Sequence, residues 1–311
     1  MSLQSFQVVP NSASACGVLA RELIDYAGLF PPASLPMATT VASYDAYLQS
    51  EWNWMLGRFI VPVSRLGEFE KAFAGLPVPS DAGSRNWRLS VLLGADPVAD
   101  VASLHEFNAR MNYKTGRTAL IDTVETKITS AAEIGRISGI IPAELVTYFE
   151  IPPSNCSECI SALAGSGRRA KIRTGGETAD KFPTSATVIE FIRACVAGDV
   201  AFKATAGLHH PLRCVHRLTY QPDSPSAMMH GFLNVFLAAA FLRTRMSAEV
   251  ARQLLEEQSA QAFQFDLDGA AWREHRLSRD EIAAVRMNFA ISFGSCSFTE
   301  PIDDLQCLHL V

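Results

Sequence analysis

Two short segments carry amines at positions that a fold would bury. In Ala170-Lys171-Ile172-Arg173-Thr174-Gly175-Gly176 and in Ala201-Phe202-Lys203-Ala204-Thr205-Ala206-Gly207, polar and apolar residues alternate. Period-two alternation puts Lys171 and Arg173 on one face of the first extended chain, and Lys203 and Thr205 on one face of the second. With both faces turned into one cavity, two lysines and an arginine approach each other across adjacent strands. Their mutual repulsion is expected to lower a lysine pKa, which makes the amine nucleophilic enough to form an imine with a carbonyl. Glu150, closing the preceding apolar run, is placed to pair with Arg173 or to carry protons. Arg173, Thr174, Thr205 and Asp25 are candidate contacts for a polar or anionic substrate. The plainer reading makes Lys171 and Arg173 structural ion pairs with Glu150 and Glu177.

Imidazoles offer a different chemistry. His209, His210, His216 and His230 fall close together in the chain, and Asn234 lies one helical turn after His230. With Glu150 or Asp122, neutral imidazoles from this stretch could make a divalent metal site for hydrolysis or lyase chemistry. One of the paired histidines could also serve as a general acid or base. The spacing has no repeating zinc pattern, and His230, early in an apolar helix, reads equally well as a core residue. Cys156-Ser-Glu-Cys159 has no second pair to complete a zinc site.

The elements that must position these residues follow from rhythm. Apolar runs centred near Ile24, Ile60, Val91, Ile121, Tyr148, Ile172 and Lys203 lie 36, 31, 30, 27, 24 and 31 residues apart, and an eighth is centred near Phe265. That interval holds a strand, a loop, a helix and a loop, as parallel strands require. Helices are expected over 45–56, after Ser64, from Pro97, and after Thr184 or Ser185 to Gly198. Eight strands and no GxGxxG after the first favour a (β/α)8, TIM-like barrel over an open doubly wound sheet. The whole chain, 1–311, then forms one barrel domain. It has a helical insertion at about 208–260 and a hairpin, helix and tail at about 263–311, with Asp268-Gly269 as the hairpin turn and a Ser278/Glu281 capping box. Reactive side chains belong at the carboxyl ends of the strands, which directs attention to Asp25, Ser64, Arg65, Asp96, Asp122, Glu125, Lys127, Glu150, Lys171, Arg173, Thr174, Lys203, Thr205, His209 and His210.

Lys171-Ile-Arg-Thr-Gly followed by Lys203-Ala-Thr-Ala-Gly resembles the paired strand-six and strand-seven motifs of deoxyribose-phosphate aldolases, which are class I, Schiff-base barrel lyases. Ile121-Asp122-Thr-Val is similar to that family's strand-four motif. The resemblance is local, and it implies Lys171 as Schiff-base lysine, Lys203 as the amine that tunes it, and Asp122 as proton relay. Phe293-Gly294-Ser295-Cys296-Ser297 looks like the family's phosphate loop, although here it is expected to follow a helix running to about Ser292. His209-His210-Pro211 and the insertion after it depart from the family pattern.

Composition bounds the function. The 311 residues are 48 % hydrophobic and 19 % charged, with a net charge of −5. This excludes disorder and offers no broad basic surface for nucleic acid. The longest apolar stretch, 231–242, is too short for a membrane span, and the amino-terminal segment lacks the pattern of a secretory leader. Seven scattered cysteines suit reduced thiols in a cytoplasm. The stripe Phe232, Val235, Phe236, Ala239 and Leu242 reads as core or as a homo-oligomer contact. The resulting expectation is an enzyme for a small carbonyl or anionic substrate, acting as an aldolase-like carbon–carbon lyase through a lysine imine and needing no cofactor. The alternatives are a metal-dependent lyase or hydrolase built on His209 and His210, and a non-catalytic ligand-binding or scaffold barrel.

Overall fold

Eight runs of the chain form parallel strands: β1 (Ile24–Tyr26), β2 (Leu56–Pro62), β3 (Arg85–Leu92), β4 (Arg117–Lys127), β5 (Val146–Glu150), β6 (Arg169–Arg173), β7 (Phe202–Thr205) and β8 (Ala290–Ser295). Each pairs with its neighbour in sequence, and β8 pairs back onto β1, so the sheet closes into a barrel. The structure is a computed structural model and describes residues 14–77, 85–111 and 117–311; most of the amino-terminal segment read above as lacking a leader lies outside the described residues.

The two faces of the strands differ sharply. Phe59, Val61, Leu89, Val91, Phe149 and Ile172 are buried in the shell between sheet and helices, and each contributes about 1.5–3 kcal/mol by leaving water. Alternate residues, among them Asp25, Ser90, Lys171, Lys203 and Ser292, are also buried but polar. The apolar outer face holds the helices in place, and the interior is left free for charge.

The helices follow local signals with some shifts. One begins at Pro97 and runs to Met111, and Thr184 caps Ser185–Gly198 by accepting the Thr187 N–H at 3.2 Å. The Ser278/Glu281 capping box opens Arg279–Asn288. Instead of 45–56, the second helix is Met37–Leu48; it starts directly after Pro36, and Trp52 and Met55 fall around a separate 3-10 turn, Asn53–Met55. Ser64 lies in the 3-10 turn Val63–Arg65 and caps nothing.

The eighth strand is not the one the rhythm suggested. Phe263–Phe265 is the edge of a three-stranded antiparallel sheet with Gly269–Trp272 and His275–Ser278. The barrel closes instead through Ala290–Ser295, where a helix and a stop were expected; the helix ends at Asn288, and Gly294 is a strand residue. Ser292 of this strand turns to the polar interior, so the strand never reads as a continuous apolar run. Phe293-Gly294-Ser295 is therefore strand, not the sequel to a helix, with Cys296-Ser297 following at its carboxyl end.

Between β7 and β8 lie a two-stranded ribbon (Cys214–Arg217 with Ser226–Met229), the helices Phe232–Arg243 and Ala248–Glu256, the small sheet and the capped helix. Phe232–Arg243 is buried from Phe232 to Leu242, which accounts for its apolar character on all sides. Arg286 ties the closure together. Its buried guanidinium donates to the carbonyls of Leu19 and Arg21 before β1, and to those of Ala290 and Ile291 at the start of β8.

Candidate active site

Strands β6 and β7 pair with Lys171 opposite Lys203 and Arg173 opposite Thr205, as alternation predicts. Both lysines point into the barrel, but they do not face each other bare. Glu125 of β4 stands between them, with Oε1 accepting from Lys203 Nζ at 2.7 Å and Oε2 lying 2.7 Å from Lys171 Nζ. Lys203 also donates to Asp25 Oδ2 at 2.5 Å, and Lys171 lies 2.9 Å from Glu150 Oε2. Glu150 in turn lies 3.3 Å from Arg173 Nε. Asp25, Lys203, Glu125, Lys171, Glu150 and Arg173 thus form one chain of alternating sign across the barrel.

The chain is anchored at its lower end. Asp25 accepts from Ser292 Oγ at 2.8 Å and from the Arg58 backbone N–H at 2.7 Å, and Glu125 accepts from Ser90 Oγ at 2.7 Å. The expected repulsion between lysines is therefore replaced by sharing of a carboxylate. Burial alone would push the Lys203 ammonium down, but Asp25 and Glu125 outweigh it and hold its pKa well above the usual lysine value. Burial would raise Glu125, and the two ammoniums instead hold it far below the usual carboxylate range. Glu150 is also lowered: Lys171 and Arg173 overcome its burial.

The two lysines differ in access. Lys203 is fully buried and fixed by two hydrogen bonds. Lys171, 4 % exposed, lines a cavity of about 830 Å³ at the carboxyl ends of the strands. Its carboxylate neighbours, Glu125 Oε2 and Glu150 Oε2, lie 2.7 and 2.9 Å from its Nζ. The cavity reaches this amine and does not reach that of Lys203.

The same cavity is lined by Glu125, Lys127, Glu150, Arg173, Thr205, His209 and His210. Its walls include Phe30, Pro31 and Pro32 from the loop after β1, together with Ile60, Leu92 and Phe182. Gly175 and Gly207 let the loops after β6 and β7 touch: a Cβ on Gly207, whose φ is +74°, would lie 2.8 Å from the Gly175 Cα.

Other expected residues stand elsewhere. Asp25 is 1 % exposed and does not line the cavity; its partner is Lys203. Thr174 spends its hydroxyl on the carbonyls of Ala206 at 2.6 Å and Thr205 at 3.2 Å, fastening β6 to β7. Asp122 does not reach the lysines. The register of β4 shifts between Ile121 and Thr123, and Asp122 pairs with Arg58 at 2.6 Å and Arg88 at 3.0 Å, while Arg88 extends to Glu22 ahead of β1. The aspartate singled out by resemblance is thus at the amino ends of the strands, and the acid that touches both lysines is Glu125. Its signal was present in Val124-Glu125-Thr126-Lys127, where alternation puts Glu125 and Lys127 on one face.

The histidines divide. His230 Nε2 lies 2.8 Å from the Pro183 carbonyl and Nδ1 lies 3.3 Å from Arg213 Nη1, a structural role away from the cavity. Asn234 likewise serves the backbone, accepting from Arg213 N and donating to the carbonyls of Leu254 and Glu257. His209 and His210 meet acids of the last helix, Thr299–Cys307: His209 Nδ1 is 3.0 Å from Glu300 Oε2 and His210 Nδ1 is 2.6 Å from Asp304 Oδ2. Burial pushes His210 below the usual imidazole value against the pull of Asp304. Among the described residues, His210, His216 and Glu300 are the group able to hold a metal; Glu150 and Asp122 are not part of it. All the cysteines are free thiols, and Cys156 and Cys159 are buried.

No helix among the described residues is long and apolar enough to cross a membrane. No known family model matches the chain, and no curated protein matches it at a significant level.

Proposed function

We propose that this barrel is a carbon–carbon lyase of the class I aldolase type, in which Lys171 forms an imine with a small carbonyl substrate. The observation that carries this reading is the contrast between two lysines in register. Lys203 is buried and fixed, whereas Lys171 lines the cavity with two carboxylates beside it.

The network suits the proton movements required. Three carboxylates (Asp25, Glu125, Glu150) balance three cations (Lys171, Lys203, Arg173). Transient transfer of the Lys171 proton to Glu150, uphill because Lys171 and Arg173 favour the Glu150 carboxylate, keeps the set neutral and frees the amine lone pair to attack the carbonyl carbon. The resulting carbinolamine loses water to give an iminium ion, with Glu150 returning the proton to the departing hydroxyl. The iminium withdraws the electron pair of the breaking carbon–carbon bond as a base removes the proton of the β-hydroxyl. Protonation of the enamine and hydrolysis of the imine restore Lys171. Lys203, holding Glu125 as a carboxylate, keeps the floor of the site rigid. Arg173, with its side chain 43 % exposed at the cavity, is the binding group for an anionic end of the substrate.

Borohydride trapping tests the reading. The protein is incubated with a panel of short aldehydes and 2-oxo acids, reduced, and mapped by peptide mass. A reduced adduct on Lys171, absent from Lys171→Met and present in Arg173→Gln at higher substrate concentration, is expected. No adduct across the panel, or an adduct on another lysine that persists in Lys171→Met, overturns it.

A further inference from the structure

Above the ion chain, the cavity mouth has a second cluster that imine chemistry does not use. The loop after β7 supplies His210, the ribbon strand Cys214–Arg217 supplies His216, and the last helix supplies Glu300. All three line the cavity, and one ligand atom from each lies within 4.8 Å of the other two. The His210 and His216 ring centroids are 4.0 Å apart with planes at 44°.

Two features distinguish this from an ordinary histidine pair. His210 is 6 % exposed, yet its Nε2 has no hydrogen-bond partner, while its Nδ1 is held by Asp304 at 2.6 Å. A carboxylate on one ring nitrogen and an open second nitrogen is how a metal-binding imidazole is oriented. Glu300 is steadied in the same way, with His209 Nδ1 at 3.0 Å and Tyr220 Oη at 3.4 Å from its Oε2. The donor set is two imidazoles and one carboxylate, which suits first-row transition ions; Mg²⁺ and Ca²⁺ prefer oxygen-rich shells.

We propose that His210, His216 and Glu300 bind a divalent first-row transition ion of the zinc class at the mouth of the cavity, with Asp304 and His209 as positioning residues. Three protein ligands leave a coordination position for a water or a substrate oxygen, the pattern of a catalytic rather than a structural site. The site stands apart from the imine reading, because no hydrogen bond or ion pair among the described residues joins these side chains to Lys171.

The test uses the full chain, stripped with a chelator and titrated with Co²⁺ while visible absorption is followed, then with Zn²⁺ and Mg²⁺ in competition. One Co²⁺ per chain, a d–d spectrum of four- or five-fold coordination, displacement by Zn²⁺ and indifference to Mg²⁺ are expected. Glu300→Gln and His210→Ala should abolish the spectrum, and Asp304→Asn should weaken affinity about 10–100-fold. Far-UV circular dichroism establishes that each variant is folded; if His210→Ala is not, Glu300→Gln and Asp304→Asn decide. Lys171→Met should bind the ion unchanged, so loss of trapping and loss of metal are separate results. Absence of saturable binding, or an unchanged spectrum in Glu300→Gln together with an unchanged affinity in Asp304→Asn, overturns the proposal.

Discussion

Glu125 is the residue on which the interior depends. It is an acid held between two cations, and burying it without them would cost several kcal/mol. Lys203→Met leaves Asp25 and Glu125 without their shared cation, and we expect a loss of about 3–5 kcal/mol in urea unfolding at neutral pH. The pH dependence has a defined sign. Glu125 titrates below its ordinary value, so its contribution is complete above about 4.5 and is lost as pH falls toward the folded value. Lys203 titrates above its ordinary value, so its contribution is complete below about 10.5 and is lost as pH rises. The gap between wild type and Lys203→Met should therefore narrow on acidification below about pH 4.5, as the wild-type protein loses the contribution of Glu125. A gap that stays constant across pH 3–7 would show that lost packing, not charge, sets the cost. The pairing of Lys171 with Lys203 was legible because period-two alternation and parallel register need no long-range information. Glu125 was among the candidates, but its place between the two lysines was not legible, because only the closed barrel brings β4 across from β6 and β7.

At the scale of elements, seven barrel strands could be read because their outward faces are continuous enough in Val, Ile, Leu and Phe to stand out. The eighth, Ala-Ile-Ser-Phe-Gly-Ser, hides because two of its positions serve a polar interior and only Ile291 and Phe293 announce a strand. The Phe263–Phe265 run is apolar for a different reason, being half-buried in a hairpin beyond the barrel. His216 and Glu300 were equally hard to join, since 84 residues and a ribbon separate them in the chain. Asn234 shows how the segment between β7 and β8 is fixed: one buried amide accepts from Arg213 N at 2.9 Å and donates to the Leu254 and Glu257 carbonyls at 2.8 and 2.9 Å. Asn234→Leu leaves these backbone groups unpaired at about 1–3 kcal/mol each. We expect faster amide exchange in Ala248–Glu256 and at Arg213, with the barrel strands unchanged; uniform loss of protection would assign Asn234 to the global core instead.

For the whole molecule, the decisive event is closure of β8 onto β1, and Arg286 marks it. Its guanidinium bridges carbonyls before β1 and at the start of β8, and burial pushes its pKa down to about 10. Arg286→Met should cost more than about 3 kcal/mol by leaving several buried carbonyls unpaired, and the melting temperature measured by calorimetry should fall accordingly. A neutral substitution would mean that the strand ladder alone completes the ring. The alternating charges inside that ring carry a consequence for how the protein can change. A single step from Asp25, Glu125 or Lys203 toward an apolar side chain strands an opposite charge out of reach of water, so mutational routes through this part of the interior run by concerted exchange of an acid together with its base. A library that varies one of these positions at a time will record each as destabilising. One that swaps Asp25 and Lys203 together for a matched apolar pair has a passage open to it, and a redesigned barrel floor becomes reachable in two changes where either alone is costly.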